Sequence, residues 1–278
     1  MKNNNFVGLN RNIIDKFYTK DTIVKLCINF IKDNIIINND DLIIEPSAGN
    51  GAFINEIKLL SNNYLFYDIE PENNEIIKKD YLEFNSNEII NKYKNIHIIG
   101  NPPFGRQSSI AIKFIKKSCE FSNTISFILP KSFRKDSLKK YFPINFHLIN
   151  ELILPDKSFL INDIEYNVPC IFQIWEKKII NRIINEKLIP KNFTFVKKNE
   201  NPDISFRRVG VNAGNIDINI ETKNIQSHYF IKFTNNKLLE YNIKLLSNII
   251  FDFDNVVGPK SISKQEIIYK FNNLLKEE

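Results

Sequence analysis

The chain has 278 residues and a mass of 32.6 kDa, enough for one large domain with an appendage or for two modest ones. With 43% hydrophobic and 25% charged residues it reads as globular rather than fibrous or disordered, and no apolar run reaches the ~18 residues needed to span a bilayer. A formal charge of +6 and a pI of about 9.0 favour a polyanionic partner, although a plain solvated surface also carries such a charge.

The N-terminal MKNNNFVGLNRN lacks the apolar core of a signal peptide, so the expectation is a soluble, intracellular protein. Ile23, Leu26, Cys27, Phe30 and Ile31 keep helical spacing and predict a helix near 21–32 that packs on a sheet. From 41 to 130 short apolar runs alternate with amphipathic ones. DLIIEP, YLFYDIEP, IHIIGNPP and TISFILPK read as parallel strands joined by crossover helices, which predicts a doubly wound α/β sheet.

After Pro130, SFRKDSLKKYF is expected to be helical, while FHLINELILP and NVPCIFQIWE form an antiparallel pair that completes the sheet. Between them DKSFLINDIEY reads as a loop. From about residue 179 the chain turns basic and Asn-rich, with strand-like FTFVKK, ISFRRVG and HYFIKF. This divides it into a main domain, 1–178, and a basic appendage, 179–278, that is a candidate for substrate recognition. A capping box of Ser263 and Glu266 opens a last helix with Ile267, Ile268, Phe271, Leu274 and Leu275 on one face.

Cys27, Cys119 and Cys170 lie far apart without a C-x-x-C pair, so no zinc site or disulfide framework is indicated. His97, His147 and His228 are isolated and read as structural or surface residues, and Trp175 as core.

The chemistry concentrates at strand ends. In EPSAGNGAF, residues 45–53, Gly49 and Gly51 allow a tight turn and bring backbone N–H groups close to a ligand at the next helix. A full G-x-G-x-x-G is absent and Glu45-Pro46 precedes the glycines, which disfavours a nicotinamide or flavin. Asp68, ending YLFYD, stands where a carboxylate can accept both ribose hydroxyls of a nucleoside cofactor, unless it is only a loop acid. Asp80 in KKDYLEF, at the end of an expected third strand, can accept from an adenine amine while Tyr81 or Leu82 covers a ring face.

EPSAGNGAF, YDIEP, KKDYLEF and Asn101-Pro102-Pro103-Phe104 occur in the order and strand positions of class I S-adenosylmethionine-dependent methyltransferases, and the chain resembles the N6-adenine branch of that family. The resemblance covers roughly residues 16–175. It implies a Rossmann-like, mostly parallel seven-stranded sheet and S-adenosyl-L-methionine as cofactor. It also implies cofactor contacts from Glu45, Pro46, Ala48, Gly49, Gly51, Asp68, Ile69, Asp80, Tyr81 and Asn101, with Tyr18 and Thr19 of KFYTKDTI helping to enclose it.

Adenine's exocyclic nitrogen is a poor nucleophile because its lone pair is delocalised into the ring. The resemblance implies that the Asn101 side-chain oxygen and the Pro102 carbonyl accept its two N–H bonds, with Pro102 and Pro103 stiffening the corner and Phe104 stacking on the purine. The base must be unpaired or flipped out. No general base with a shifted pKa is required.

Phe159 is a candidate for stacking on the other face of the base, or for burial in the hinge of its loop. Lys131, Arg134 and Lys135 read equally as phosphate contacts or as a solvated helix face, and Arg207 and Arg208 invite the same two readings.

The leading expectation is methylation of adenine N6 in nucleic acid, with DNA slightly ahead of RNA. Two competitors stand: a protein glutamine N5-methyltransferase, whose amide nitrogen also carries two hydrogens, and a catalytically silent subunit that binds nucleic acid. Target sequence and oligomeric state are not legible in the chain.

Overall fold

The computed structural model describes residues 17–184, 186–235, 238–251 and 260–275. The chain divides into two compact units, Met1–Ile183 and Ile184–Glu278. Among the described residues no helix is long and apolar enough to cross a membrane.

The first unit opens with β1 (Tyr18–Thr19) and α1 (Asp21–Asn34), followed by β2 (Leu42–Glu45), α2 (Ile54–Lys58), β3 (Asn63–Asp68) and β4 (Ile77–Lys78). A short α3 (Asn87–Ile90) leads to β5 (Ile96–Gly100), α4 (Ser109–Cys119), β6 (Thr124–Pro130) and a four-residue α5 (Asp136–Lys139). β7 (Phe146–Ile153), β8 (Phe159–Ile161), β9 (Ile164–Tyr166) and β10 (Cys170–Lys177) complete it.

Seven strands form one sheet in the order β4-β3-β2-β5-β6-β10-β7. The strands from β4 to β6 pair in parallel, and β10 runs antiparallel to both β6 and β7. This is the Rossmann-like sheet expected of class I methyltransferases. Every residue of β2, β5 and β6 is buried, as required of strands covered on both faces. Alternation splits their side chains between two cores. Ile44, Ile98 and Phe127 join Trp175 on one side, while Ile43, Ile99 and Ile128 join α1 and α2 on the other.

The face of α1 toward the sheet is Ile23, Val24, Cys27, Ile28 and Ile31, so Leu26 and Phe30 sit at its margin rather than at its centre. Cys27, Cys119 and Cys170 are all buried and free. Trp175 is core, stacked on Phe142 with centroids 3.9 Å apart.

Two segments differ from expectation. Lys131–Arg134 form a single 3-10 turn, and the chain breaks at the extended Lys135 before the short α5, so the amphipathic stretch does not make one helix. The segment 156–166 is not a plain loop. β8 and β9 form a hairpin through Asn162 and Asp163, both left-handed at φ 48° and 63°, a two-residue turn that suits these side chains. β1 pairs with β8, giving a small three-stranded sheet.

At the opposite ends of the strands from the glycine turn lies a buried polar network. His97 is 3% exposed, with Nδ1 2.8 Å from Thr124 Oγ1 and Nε2 3.3 Å from Asp41 Oδ2. Burial holds the imidazole below its ordinary 6.5, with Asp41 only partly offsetting it. Burial pushes the Asp41 carboxyl upward, but the Asn38 backbone N–H and the Asn95, His97 and Asn38 side chains together bring it below 3.8.

Unfolded, His97 takes up a proton near its ordinary pKa that the folded chain refuses until lower pH. Stability is therefore full above 6.5 and drains as pH falls below it. Asp41 adds a second loss below about 3.8, once its unfolded form protonates ahead of the folded one. Between about pH 7 and 5 the thermal midpoint of the parent is expected to fall relative to that of His97→Gln, a comparison that cancels the opposing contribution of buried Glu45, whose raised pKa favours the fold as pH drops. An equal pH dependence in parent and variant would contradict a neutral, buried His97.

The second unit contains β11 (Phe193–Val196), β12 (Ile204–Arg207), β13 (Ile216–Asp217) and β14 (His228–Phe233), paired antiparallel in the order β11-β14-β12-β13. Its helices are α6 (Leu239–Ser247) and α7 (Lys264–Leu274). Phe193, Phe206, Ile231, Ile267 and Phe271 form its core. Ser263 and Glu266 make the expected reciprocal cap of α7, and Ile267, Ile268, Phe271 and Leu275 are buried along one face with Leu274 packed beside them.

Candidate active site

Chain order reverses at β2: β3 and β4 lie to one side of it and β5 to the other. A crevice opens outside the carboxyl ends of adjacent strands at such a reversal. Here it is a cleft of about 870 Å³. The β2 end contributes Glu45 to Gly49, the β3 end Asp68 and Ile69, and the β5 end Asn101 to Gly105. Phe17, Tyr18 and Thr19 close one wall, and Asp80, Tyr81 and Leu82 another.

The turn after β2 is held by backbone bonds, Ala48 N–H to the Tyr67 carbonyl at 2.9 Å and Gly51 N–H to the Ala48 carbonyl at 2.7 Å. Gly51 has φ +88°, and a Cβ there would lie 2.6 Å from Ile54 Cδ1 and 3.0 Å from Asn73 Nδ2. The positive φ favours glycine, while the contacts are the ends of two flexible side chains that can shift. Across the turn, the Tyr18 hydroxyl donates to Glu72 Oε1 at 2.6 Å.

Asp68 is half-buried. Its Oδ2 accepts the Gly49 N–H and its Oδ1 the Glu70 N–H, each at 2.8 Å. A carboxylate oxygen has two acceptor sites, so each retains one for a vicinal diol. Ile69, 56% exposed, offers apolar surface in the same cleft. Asp80 follows the third strand of the sheet as expected, the two-residue edge strand β4, and caps a 3-10 turn, its Oδ1 accepting the Leu82 N–H at 2.8 Å.

Glu45 is fully buried at the cleft, and its Oε2 has no hydrogen-bond partner among the described residues. Burial, reinforced by the charge of Asp68, drives its pKa well above the ordinary 4.5. An orphaned buried oxygen is costly to the isolated protein and is relieved by a ligand that supplies a donor. The glycine turn, the diol-accepting Asp68, apolar Ile69 and Leu82, and this orphan together fit a nucleoside cofactor that carries a polar tail.

Asn101 carries a second such orphan in the cleft, the other two among the described residues being the Ser122 and Ser126 hydroxyls. Its Nδ2 donates to the Phe17 carbonyl and to Thr19 Oγ1, both at 3.3 Å, which fixes the amide with the nitrogen toward β1. Its Oδ1 is buried and has no partner among the described residues. The Asn101 carbonyl accepts from Ser47 Oγ at 3.2 Å, tying the β5 corner to the β2 turn. No described donor bonds the Pro102 carbonyl.

Phe104 lies in the cleft with its ring half-buried against both cores, and its carbonyl accepts the N–H groups of Ile110 and Ala111 at the start of α4. Gly105, at φ +68°, passes where a Cβ would meet Ile110 Cγ1 at 2.5 Å. Gln107 and Ser108 follow in left-handed conformations at φ 53° and 61°, so the whole corner is conformationally costly.

Other expectations fail for reasons of packing. Tyr81 does not present its ring to a ligand. It is stacked among Phe84 and Phe114 with its hydroxyl 2.8 Å from Ser118 Oγ, and burial pushes its pKa upward. Leu82, half-buried, lines the cleft beside it. Phe159 is 0% exposed and packs edge-on to Phe17 at 6.2 Å, so the hairpin buries it and it cannot stack on a base.

Arg134 is paired with Glu151 at 2.9 Å, and neither it nor Lys131 lines the cleft. Arg207 and Arg208 belong to the second unit. Arg207 donates to the Val209 carbonyl and Ser227 Oγ, and Arg208 to the Gln226 carbonyl.

The sequence reading missed Phe17, Ser47 and Arg106. Arg106 directly follows the Asn-Pro-Pro-Phe-Gly corner, is exposed and lines the cleft. A cation immediately after that corner was the available signal.

The family model of the EDM2 methyltransferase-like domain matches residues 37–178. A ribosomal RNA small subunit methyltransferase A from Mycoplasma capricolum is 34% identical over 118 residues, 37% of this chain and 44% of that protein. The protein of the same name from a Sulfurihydrogenibium species is 32% identical over 105 residues, covering 32% of this chain and 40% of that protein. The match thus spans well under half the length of either relative. Among solved structures, the 23S rRNA methyltransferase ErmE superposes with a TM-score of 0.44 at 12% identity, covering 60% of this chain and 72% of that one. With its strand order, its glycine turn and a family match across the main sheet, the chain belongs to the EDM2 methyltransferase-like domain family, within the class I methyltransferases that use S-adenosyl-L-methionine.

Proposed function

We propose that the protein methylates the exocyclic N6 of an adenine in nucleic acid. The observation that carries this reading is Asn101, whose amide is anchored through Nδ2 while Oδ1 is left as a buried acceptor without a described donor, and the carbonyl of the next residue, Pro102, is likewise bonded by no described donor. An exocyclic amine brings two N–H donors to one nitrogen, which is what two adjacent fixed acceptors require.

S-adenosylmethionine, held by the glycine turn, Asp68 and the Glu45 wall, supplies an electrophilic methyl group. The residues of the β5 corner act on the base. Asn101 Oδ1 and the Pro102 carbonyl each accept one N–H, favouring a pyramidal nitrogen as positive charge develops there. Because the prolines fix the corner beforehand, little reorganisation is left for the moment of reaction. Phe104 offers its ring to the base, at about 1–3 kcal/mol per stacked base. Arg106, at the cleft and exposed, is placed to meet a phosphate beside the extruded nucleotide.

The two curated relatives are named as ribosomal RNA methyltransferases, which supports placing RNA ahead of DNA in the first assays. Incubation with labelled S-adenosylmethionine and separate RNA, DNA and protein pools, followed by nucleoside analysis, is expected to give N6-methyladenine in a nucleic acid. Label confined to glutamine in protein, or no label in any pool, would refute the reading.

A further inference from the structure

The second unit carries a groove of about 670 Å³ that plays no part in the chemistry above. Phe271 of α7 packs against Phe193 of β11, and the first residue of that helix, Lys264, stands over Phe195. The groove exposes part of the sheet's aromatic surface. Phe195 and Tyr229 are only partly buried there, their rings edge to face at 5.6 Å and 71°.

Cations surround this pair. Lys264 Nζ lies 4.6 Å from the Phe195 ring centre and 5.7 Å from that of Tyr229. The Arg208 guanidinium is 5.3 Å from the Tyr229 centre. Lys197 and Lys198 form the facing wall, Lys198 tied to the Glu221 and Lys223 carbonyls and Lys197 81% exposed with its ammonium 3.9 Å from Glu200.

We infer that this groove binds a single-stranded stretch of nucleic acid, with one base stacked on the Phe195–Tyr229 pair and the neighbouring phosphates held by Lys264 and Lys197. The inference rests on the proposed function for the class of its ligand. A lysine resting over an exposed ring makes a weak contact, and base stacking on an aromatic side chain is stronger and tolerant of sequence. An entering base therefore displaces Lys264 from the ring face and frees its ammonium for a phosphate. A duplex lacks the free base face this exchange needs, and an acidic peptide supplies the anions without the planar ring.

The test is fluorescence anisotropy of the full chain with labelled oligoadenylate as RNA and as DNA, and with a duplex of equal length, at several salt concentrations. Phe195→Leu, which keeps the site apolar, is expected to weaken single-strand binding about tenfold with the salt slope unchanged. Lys264→Gln is expected to reduce that slope by about one charge. Both variants should melt and bind S-adenosylhomocysteine like the parent.

Unchanged affinity of a normally melting Phe195→Leu, or duplex bound as tightly as single strands, overturns the inference. Should Phe195→Leu fail to fold, Lys264→Gln decides, and an unchanged slope there overturns it. Because the readout is binding, parent-like single-strand affinity without methyl transfer would sink the methylation reading and leave the groove standing. Transfer to adenine with groove variants that bind normally would sink the groove alone.

Discussion

Asn101→Ala is expected to lower methyl transfer by about 10²–10³-fold or more while changing affinity for S-adenosylhomocysteine by less than about threefold. An acceptor that acts on developing charge contributes more in the transition state than in the bound complex, so its loss appears in the rate. Single-turnover transfer with labelled cofactor measures the first quantity and calorimetry the second. Asn101 also anchors β1 through its Nδ2 contacts to Phe17 and Thr19, and truncation to alanine releases both. Asn101→Asp separates the two functions, since it keeps an acceptor and loses the donor. It is expected to retain more transfer than the alanine variant. Equal activities for the alanine variant and the parent would remove Asn101 from the reaction.

Asp68→Ala should act at the other end of the cleft and in the opposite sense, raising the dissociation constant for S-adenosylhomocysteine by about 10²-fold. Hydrogen bonds to a charged group contribute about 1.5–3 kcal/mol each, and two to a ribose diol account for a loss of that size. At saturating cofactor the rate should stay within about threefold of the parent, the signature of an interaction shared by ground and transition states. Asp68 also receives the Gly49 and Glu70 N–H groups, so part of the loss reflects a loosened turn. Asp68→Asn keeps acceptor capacity at one of those donors and should fall between. An unchanged cofactor affinity in the alanine variant would dismiss the diol contact.

Much of this architecture was legible because its signals are long or doubly determined. β2, β5 and β6 are buried on both faces, so their runs are largely apolar and give way to a proline or an acid, and their alternation with helices points to a doubly wound sheet. The glycine turn and the β5 corner were readable from the backbone restrictions of Gly51, Pro102 and Pro103.

What escaped depends on tertiary contacts. Phe159 and Tyr81 occupy positions where an aromatic can serve a ligand or the core, and only the packing of Phe17 against the first and Phe114 against the second decides between them. β8 and β9 are three residues each, and β8 also pairs with β1, a contact across more than a hundred residues that local pattern does not carry. The Asn162-Asp163 pair was the one local sign of their turn. Arg134 looks like a free cation in sequence because Glu151, which neutralises it, lies on the next strand.

The central claim concerns two oxygens at the end of β5 and is tested most directly by a crystal structure of the chain with S-adenosylhomocysteine and a short adenine-containing oligonucleotide. The account predicts the exocyclic nitrogen at about 3 Å from both Asn101 Oδ1 and the Pro102 carbonyl, with Phe104 against the purine ring. A base bound in the cleft with its amine directed elsewhere, or an Asn101 side chain turned so that its nitrogen faces the base, would contradict it.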